Sequence, residues 1–146
     1  VQMINAYFFY RLSNILYRFK IPFFPTIIKG IIFLIYNSVI PYQAKIGKGT
    51  RFAYGGIGVV IHKRAVIGTK CVIGTNVTIG GKSGHYQVPI IGNNVYISTG
   101  AKVLGPIKIG SNATIGANAV AIKNVEDNTV VVGVPAKKLN SFNKKN

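Results

Sequence analysis

The chain has 146 residues, 49% of them apolar and 17 of them glycine; this is one domain's worth of material, able to bury a core and unlike the composition of a disordered segment. Lysine and arginine number 18 against two acids, Glu126 and Asp127, giving a formal net charge of +16 that attracts polyanions or anionic surfaces without saying which. The single cysteine, Cys71, excludes an intrachain disulfide and suits a reducing cytosol.

Read along the chain, residues 1–38 form a helical segment, 39–139 a repeat domain and 140–146 a basic tail. Tyr7, Phe8, Leu12, Ile15, Leu16 and Phe19 fall on one side of a helical wheel with Arg11, Asn14 and Arg18 on the other, which predicts an amphipathic helix over 4–20. "IPFFP", residues 21–25, breaks it, and 26–38 reads as a second helix, apolar nearly all round. Arg11, Arg18 and Lys20 interrupt the apolar start and no small-residue cleavage site follows, so a secretory leader is not expected. The run 27–40 contains Lys29 and Asn37 and is shorter than the roughly 18–20 apolar residues a membrane span needs. Two roles for the helices stay open: packing on the coil end or a partner subunit, and lying on a membrane surface.

From residue 61 a six-residue period takes over. Ile61, Ile67, Ile73 and Ile79 continue, after one interruption, as Ile91, Ile97, Val103, Ile109 and Ile115. Four residues after each stands a small or medium side chain, such as Ala65, Cys71, Val77, Ser83, Val95, Ala101 and Ala113. A helix would smear a period of six around its axis, whereas a short strand plus a corner fits it, with glycine or asparagine easing the turn. Three such faces close a triangular coil whose aliphatic residues stack from one turn to the next, a parallel β-helix built from hexapeptides. Crossover preference alone would suggest a right-handed coil. Near the end, "NVEDNTVVVGVPAKKL" holds one last β run and a proline turn, before the basic tail "NSFNKKN".

Residues from about 39 to 139 resemble the hexapeptide acyltransferases, in the branch that includes serine O-acetyltransferase and the acetyltransferases of capsule and exopolysaccharide clusters. The segments that carry this resemblance are "AKIGKGTRFAYGGIGVVIHKRAVIG", "VTIGGKSG", "VPIIGNNVYISTGAKVLGPIKIGSNATIGANAV" and "VVGVPAKKL". The resemblance implies a mainly β fold, a left-handed parallel β-helix behind the short helical start. It also implies an acetyl-CoA-dependent enzyme with no metal, assembled as a homotrimer whose active site lies between neighbouring coils. The pattern departs from serine acetyltransferases where these carry an Asp-His pair, here Ala53 and Tyr54, and where a further aspartate stands, here Val39. A serine ammonium without a carboxylate partner would cost several kcal/mol in a partly dry site, so a neutral or anionic hydroxyl, such as that of a sugar or polysaccharide precursor, is the expected acceptor.

Moving an acetyl group from thioester to hydroxyl needs a proton acceptor, and imidazole is the side chain best poised near neutral pH. The chain has two histidines. His62 stands where the following units carry Gly68, Gly74 and Gly80, so its ring should project from an edge of the coil, and it is preferred as the base. His85 lies in "GGKSGHYQVP", 80–89, where the repeat lapses into a loop. Tyr54 and Lys82 are acceptor-side candidates, and Tyr54 alternatively stacks on an exposed edge. Gly80 and Gly81 are candidates to hold the acyl oxygen through their N–H groups. The resemblance places coenzyme A along Gly80, Thr99, Gly100 and Ala117, with Lys137 and Lys138 meeting phosphates. Cys71 fills a structural slot in the stack. The expected setting is the cytoplasm, at the inner face of the membrane if the helices touch it. Three readings compete. One is serine-like chemistry on another small hydroxyl, one a scaffold that has lost catalysis and acts as an interaction module. The third, a zinc site, needs three ligands that two histidines would supply only across subunits. No nucleic-acid-binding pattern is in view.

Overall fold

The computed structural model describes residues 5–139; the expected basic tail and the first residue of the expected N-terminal helix lie outside them. Two helices precede a parallel β-helix of short strands, numbered along the chain. The first coil is β1 (Lys45–Ile46), β2 (Arg51–Phe52) and β3 (Val60–Ile61). The second is β4 (Val66–Ile67), β5 (Val72–Ile73) and β6 (Thr78–Gly80), and the third is β7 (Ile90–Ile91), β8 (Tyr96–Ile97) and β9 (Lys102–Leu104). The fourth is β10 (Lys108–Ile109), β11 (Thr114–Ile115) and β12 (Val120–Ala121), followed by β13 (Val130–Val132) and the antiparallel β14 (Lys137–Lys138).

Strands one coil apart pair in parallel, so three sheets form the faces of a prism: β1-β4-β7-β10, β2-β5-β8-β11-β13-β14 and β3-β6-β9-β12. Register follows the aliphatic period: Ile46 pairs with Ile67, Ile73 with Ile97 and Ile61 with Ile79. These side chains point inward and are buried, as are the small-residue columns of Ala65, Cys71, Val77, Val95, Ala101, Ala113 and Ala119. Each inward methyl-bearing rung of the inner coils is thus covered above and below by another, and a fully buried one contributes roughly 1.5–3 kcal/mol. Ser83 is exposed, because the chain leaves the coil between β6 and β7.

The repeated glycines have a different cause from the one the period suggests. Gly47, Gly68, Gly74, Gly92 and Gly110 do not sit at positive φ; the turns use Lys70, Asn76, Asn94, Asn112 and Asn118 for that. What excludes a side chain at these glycines is the next coil. A Cβ on Gly68 would stand 2.3 Å from the Gly92 carbonyl oxygen, and one on Gly74 2.5 Å from the Thr99 nitrogen. These glycines allow backbone to lie on backbone at an edge.

Helix α1 (Ala6–Arg18) starts at an Asn5 cap whose side chain accepts from the Tyr7 N–H. It lies on the open end of the first coil, and its buried residues are Ala6, Tyr10 and Ser13. Phe8, Leu12, Ile15 and Phe19 of the expected apolar stripe face outward. Hydrogen bonding accounts for the difference. The end coil presents unpaired backbone groups, and α1 meets them with polar tips: Asn5 Nδ2 donates to Phe52 O (2.7 Å), Tyr7 Oη to Gly47 O (2.9 Å) and Tyr10 Oη to Ala44 O (2.6 Å). Tyr10 Oη also accepts from the Ile46 N–H at 3.2 Å. Helix α2 (Phe24–Tyr36) begins two residues before its expected start, with Pro25 in the first turn, where its missing N–H breaks no bond. It packs on α1, where Ser13 Oγ donates to Pro25 O at 2.9 Å. Among the described residues no helix is long and apolar enough to cross a membrane.

Candidate active site

The prism has three edges, and one of them differs. Where the third face turns into the first, the register Ile61–Ile79 sets His62 beside Gly80, and Gly80 in turn pairs with Leu104. A Cβ on Gly80 would meet only side chains, Leu104 Cδ2 at 3.2 Å and Thr78 Cγ2 at 3.7 Å. Side chains therefore fit on this edge, which is why a histidine can replace the corner glycine. The chain also leaves the coil here: residues 81–87 are exposed, and His85 is carried on this loop.

His62 is half-buried and held on both sides of its backbone, its N–H donating to Ile79 O (2.8 Å) and its carbonyl accepting from Ala65 N (2.9 Å). Its Nδ1 accepts from the Arg64 backbone N–H at 3.1 Å. The opposite, Cδ2–Nε2 edge of the ring lies against Gly81, 3.8 and 4.0 Å from where a Cβ on that residue would stand. Burial, then the positive charges of Arg64 and Lys63, hold the imidazole below its usual pKa, so it is neutral near pH 7. A neutral ring with an N–H donated into Nδ1 carries its own proton on Nε2. In that tautomer Nε2 is a donor, whereas the expectation from sequence gives His62 the role of general base.

Arg64 joins the two histidine-bearing segments. Its guanidinium lies 4.1 Å over the Tyr86 ring and donates to Tyr86 O at 2.5 Å, next to His85, while its Nε is buried without a partner among the described residues. The His85 backbone N–H donates to Lys82 O (3.1 Å), and its imidazole makes no hydrogen bond among the described residues. Lys82 is exposed, with its Cβ 3.6 Å from where one on Gly105 would stand.

A cleft of about 510 Å³ opens beside His62, between α2 and the third face. Val39, Gln43, Gly80 and the cations Lys29 and Lys63 line it. Val39, which bridges to Val60, thus shares a cleft with His62; Lys29 and Gln43 were not singled out from sequence, since only the fold brings them here. Among the described residues no carboxylate lines the cleft. Glu126 faces Lys138 at 3.7 Å, and Asp127 Oδ1 accepts from Ser111 N (2.7 Å) on the edge between the first and second faces.

The remaining candidates lie elsewhere on the same chain. Thr99, Gly100 and Ala117 are on the edge between the second and third faces, where Thr75 Oγ1 and Thr99 Oγ1 are 3.4 Å apart. Tyr54, 74% exposed at φ 50°, lies on that edge too, in the turn Ala53–Gly56. Within one chain the structure therefore does not bring Tyr54 together with Lys82, nor Thr99, Gly100 and Ala117 together with Gly80 and Gly81. Lys137 and Lys138 are exposed on β14. Cys71 is buried in its stack slot, where burial raises the thiol pKa. Among the described residues no group of three histidine, cysteine or acidic side chains could hold a metal ion.

Comparison with known proteins gives the fold its relatives. Residues 89–122 match the family "Bacterial transferase hexapeptide (six repeats)". A serine acetyltransferase of Synechococcus elongatus is 37% identical over 130 residues, which are 88% of this chain and 53% of that protein. The solved serine acetyltransferase of Brucella abortus superposes with a TM-score of 0.86 at 31% identity, over 94% of this chain and 56% of that one. A serine acetyltransferase solved in complex with CoA gives 0.83 at 31% identity, over 92% of this chain and 55% of that one. The chain thus spans about half the length of the relatives it matches. The prism is the left-handed β-helix of those structures. By its repeat, its coil and these relatives, the chain belongs to the hexapeptide-repeat acyltransferases, in the serine O-acetyltransferase branch.

Proposed function

We propose that this chain is an acetyl-CoA-dependent O-acetyltransferase acting on the hydroxyl of a small acceptor. The observation that carries the reading is the His62 edge: on a scaffold shared with serine acetyltransferases, it combines a neutral imidazole, a histidine-bearing loop and a cleft. The relatives named above favour a serine-like acceptor over a sugar. His85, whose imidazole makes no bond among the described residues, is the group we assign as general base. Lys137 and Lys138, with the net charge of +16, suit the phosphates of coenzyme A. The test is coenzyme A release from acetyl-CoA with serine, other hydroxy acids and simple sugars as acceptors. Acetylated product is expected with at least one of them, and its absence with all would leave the scaffold as an interaction module.

A second acceptor reading rests on one specific feature. Among the described residues the cleft contains Lys29 and Lys63 and no carboxylate, so an ammonium group there would stay unpaired at a cost of several kcal/mol. A neutral or anionic hydroxyl, including that of a sugar or polysaccharide precursor, avoids this cost. Serine turnover more than about tenfold above every sugar would remove this reading.

The split of the candidate residues between two edges favours a homotrimer, in which the Thr99, Gly100 and Ala117 edge of one copy meets the His62 edge of the next. Sedimentation equilibrium tests this, and a monomer that turns over acetyl-CoA would refute it. Around the turn between the helices, Phe19, Phe23 and Phe24 are exposed beside Arg18 and Lys20. This arrangement suits an anionic membrane surface. Co-flotation with phosphatidylglycerol vesicles checks it.

A further inference from the structure

We propose that His62 serves as a fixed hydrogen-bond donor, presenting its Nε2–H to the acyl oxygen of the thioester while another group takes the hydroxyl proton. The inference rests on the transfer reading above and deepens it. Three observations on geometry support it. The Arg64 backbone N–H occupies Nδ1 at 3.1 Å, a contact made within the corner itself and independent of any ligand. The His62 main chain is pinned by Ile79 and Ala65, which fixes the corner from which the ring projects. The free edge of the ring lies against Gly81, the residue without a side chain at the start of the loop, and the Gly81 N–H has no partner among the described residues. A carbonyl oxygen that approaches this spot would meet an imidazole N–H beside an open main-chain N–H.

The transfer then balances without His62 gaining or losing a proton. The acceptor oxygen forms the new C–O bond as its proton passes to His85. The thioester C–S bond breaks, its electron pair goes to sulfur, and the proton on His85 is returned to the thiolate. His62 Nε2–H holds the carbonyl oxygen while that oxygen bears negative charge. Removing one such donor lowers turnover by roughly 10²–10³-fold. Neutrality of the ring matters in this role only because it keeps a single, oriented N–H, and burial, then the cations Arg64 and Lys63, support it.

Two measurements test the assignment. Nitrogen-15 NMR of the histidine-labelled wild-type chain should show His62 as the Nε2–H tautomer at neutral pH; an Nδ1–H ring would overturn the proposal whether or not the chain is active. His62→Gln places an amide N–H near the position of Nε2 but has no basic lone pair, whereas His62→Ala has neither. We expect His62→Gln to retain kcat within about tenfold of wild type and His62→Ala to lose roughly 10²–10³-fold. Equal loss in both variants would overturn the donor role and return His62 to the base. A wild-type chain inactive with every acceptor would remove the transfer reading and this role with it, while an active chain with an Nδ1–H ring sinks the donor assignment alone.

Discussion

Two edges of one prism, built from the same six-residue unit, treat side chains in opposite ways. On the edge between the first and second faces the main chain of each coil lies directly on the next, and a Cβ at Gly47, Gly68 or Gly110 would fall within 2.5 Å of backbone. On the His62 edge the nearest obstacle is the flexible end of Leu104. The period is identical and the stacking differs, because the chain leaves the coil after Gly80 and backbone no longer lies on backbone there. Rigidity is concentrated on one edge and the proposed chemistry on the other.

Gly68→Ala should break this contrast most severely: its Cβ would enter the Gly92 carbonyl, and neither backbone can move without shifting a whole coil. Overpacking costs about 1–3 kcal/mol, occasionally more, and against rigid backbone the upper end is expected, read as a large fall in the urea midpoint. Gly81→Ala is its counterpart on the open edge. Its Cβ would stand 3.4 Å from Val88 Cγ1 and 3.8 Å from His62 Cδ2, so the midpoint should hardly change, while kcat falls because the methyl group crowds the space beside Nε2.

Arg64→Ala sharpens the comparison further. It leaves the main-chain N–H on His62 Nδ1 but removes the guanidinium from the Tyr86 ring and carbonyl. A cation–π contact at an exposed site is worth about 0.5–1 kcal/mol, so stability should drop only slightly. The loop would loosen, raising KM more than it lowers kcat, with Arg64→Lys recovering part of the loss. Unchanged KM in Arg64→Ala would show that the strap between the two histidine-bearing segments has no functional weight.

The smallest effect is on the pH dependence of stability. The folded-state pKa of His62 is lowered by burial, then by Arg64 and Lys63, with Lys29 across the same cleft and no acid facing the ring. Below the ordinary histidine value near 6.5 the unfolded chain binds a proton that the folded chain refuses, so this contribution to stability is present at neutral pH and is lost as pH falls from there through the lowered value. His62→Gln should flatten the acid limb of a denaturation-versus-pH curve; an unaltered limb would place the ring in a more solvated state.

The coil itself was legible because its rungs obey a strict period: Ile61, Ile67, Ile73 and Ile79 face inward as their spacing requires. The placement of His62 on an edge followed from the same count. Its tautomer did not, because that depends on one backbone N–H two residues on, which no side-chain pattern encodes. Helix α1 was legible as a helix, yet its apolar stripe misled: the face that docks is chosen by the hydroxyl and amide tips that reach the end coil, not by Phe8 or Leu12. The division of Thr99 and Gly80 between separate edges was equally hidden, since positions in neighbouring hexapeptides look equivalent along the sequence and differ only in which corner they turn. Lys29 entered the cleft through tertiary packing of α2, which local periodicity cannot report.

The way the coil is closed off at its beginning has a further consequence. A stack of strands with a bare first rung would recruit another such stack and grow into a filament. Asn5, Tyr7 and Tyr10 occupy carbonyls that a newcomer would need, and at the far end β14 folds back with outward lysines. Copies of this molecule are thereby steered away from joining tip to tip, and lateral contact along the flanks is left as the route to assembly.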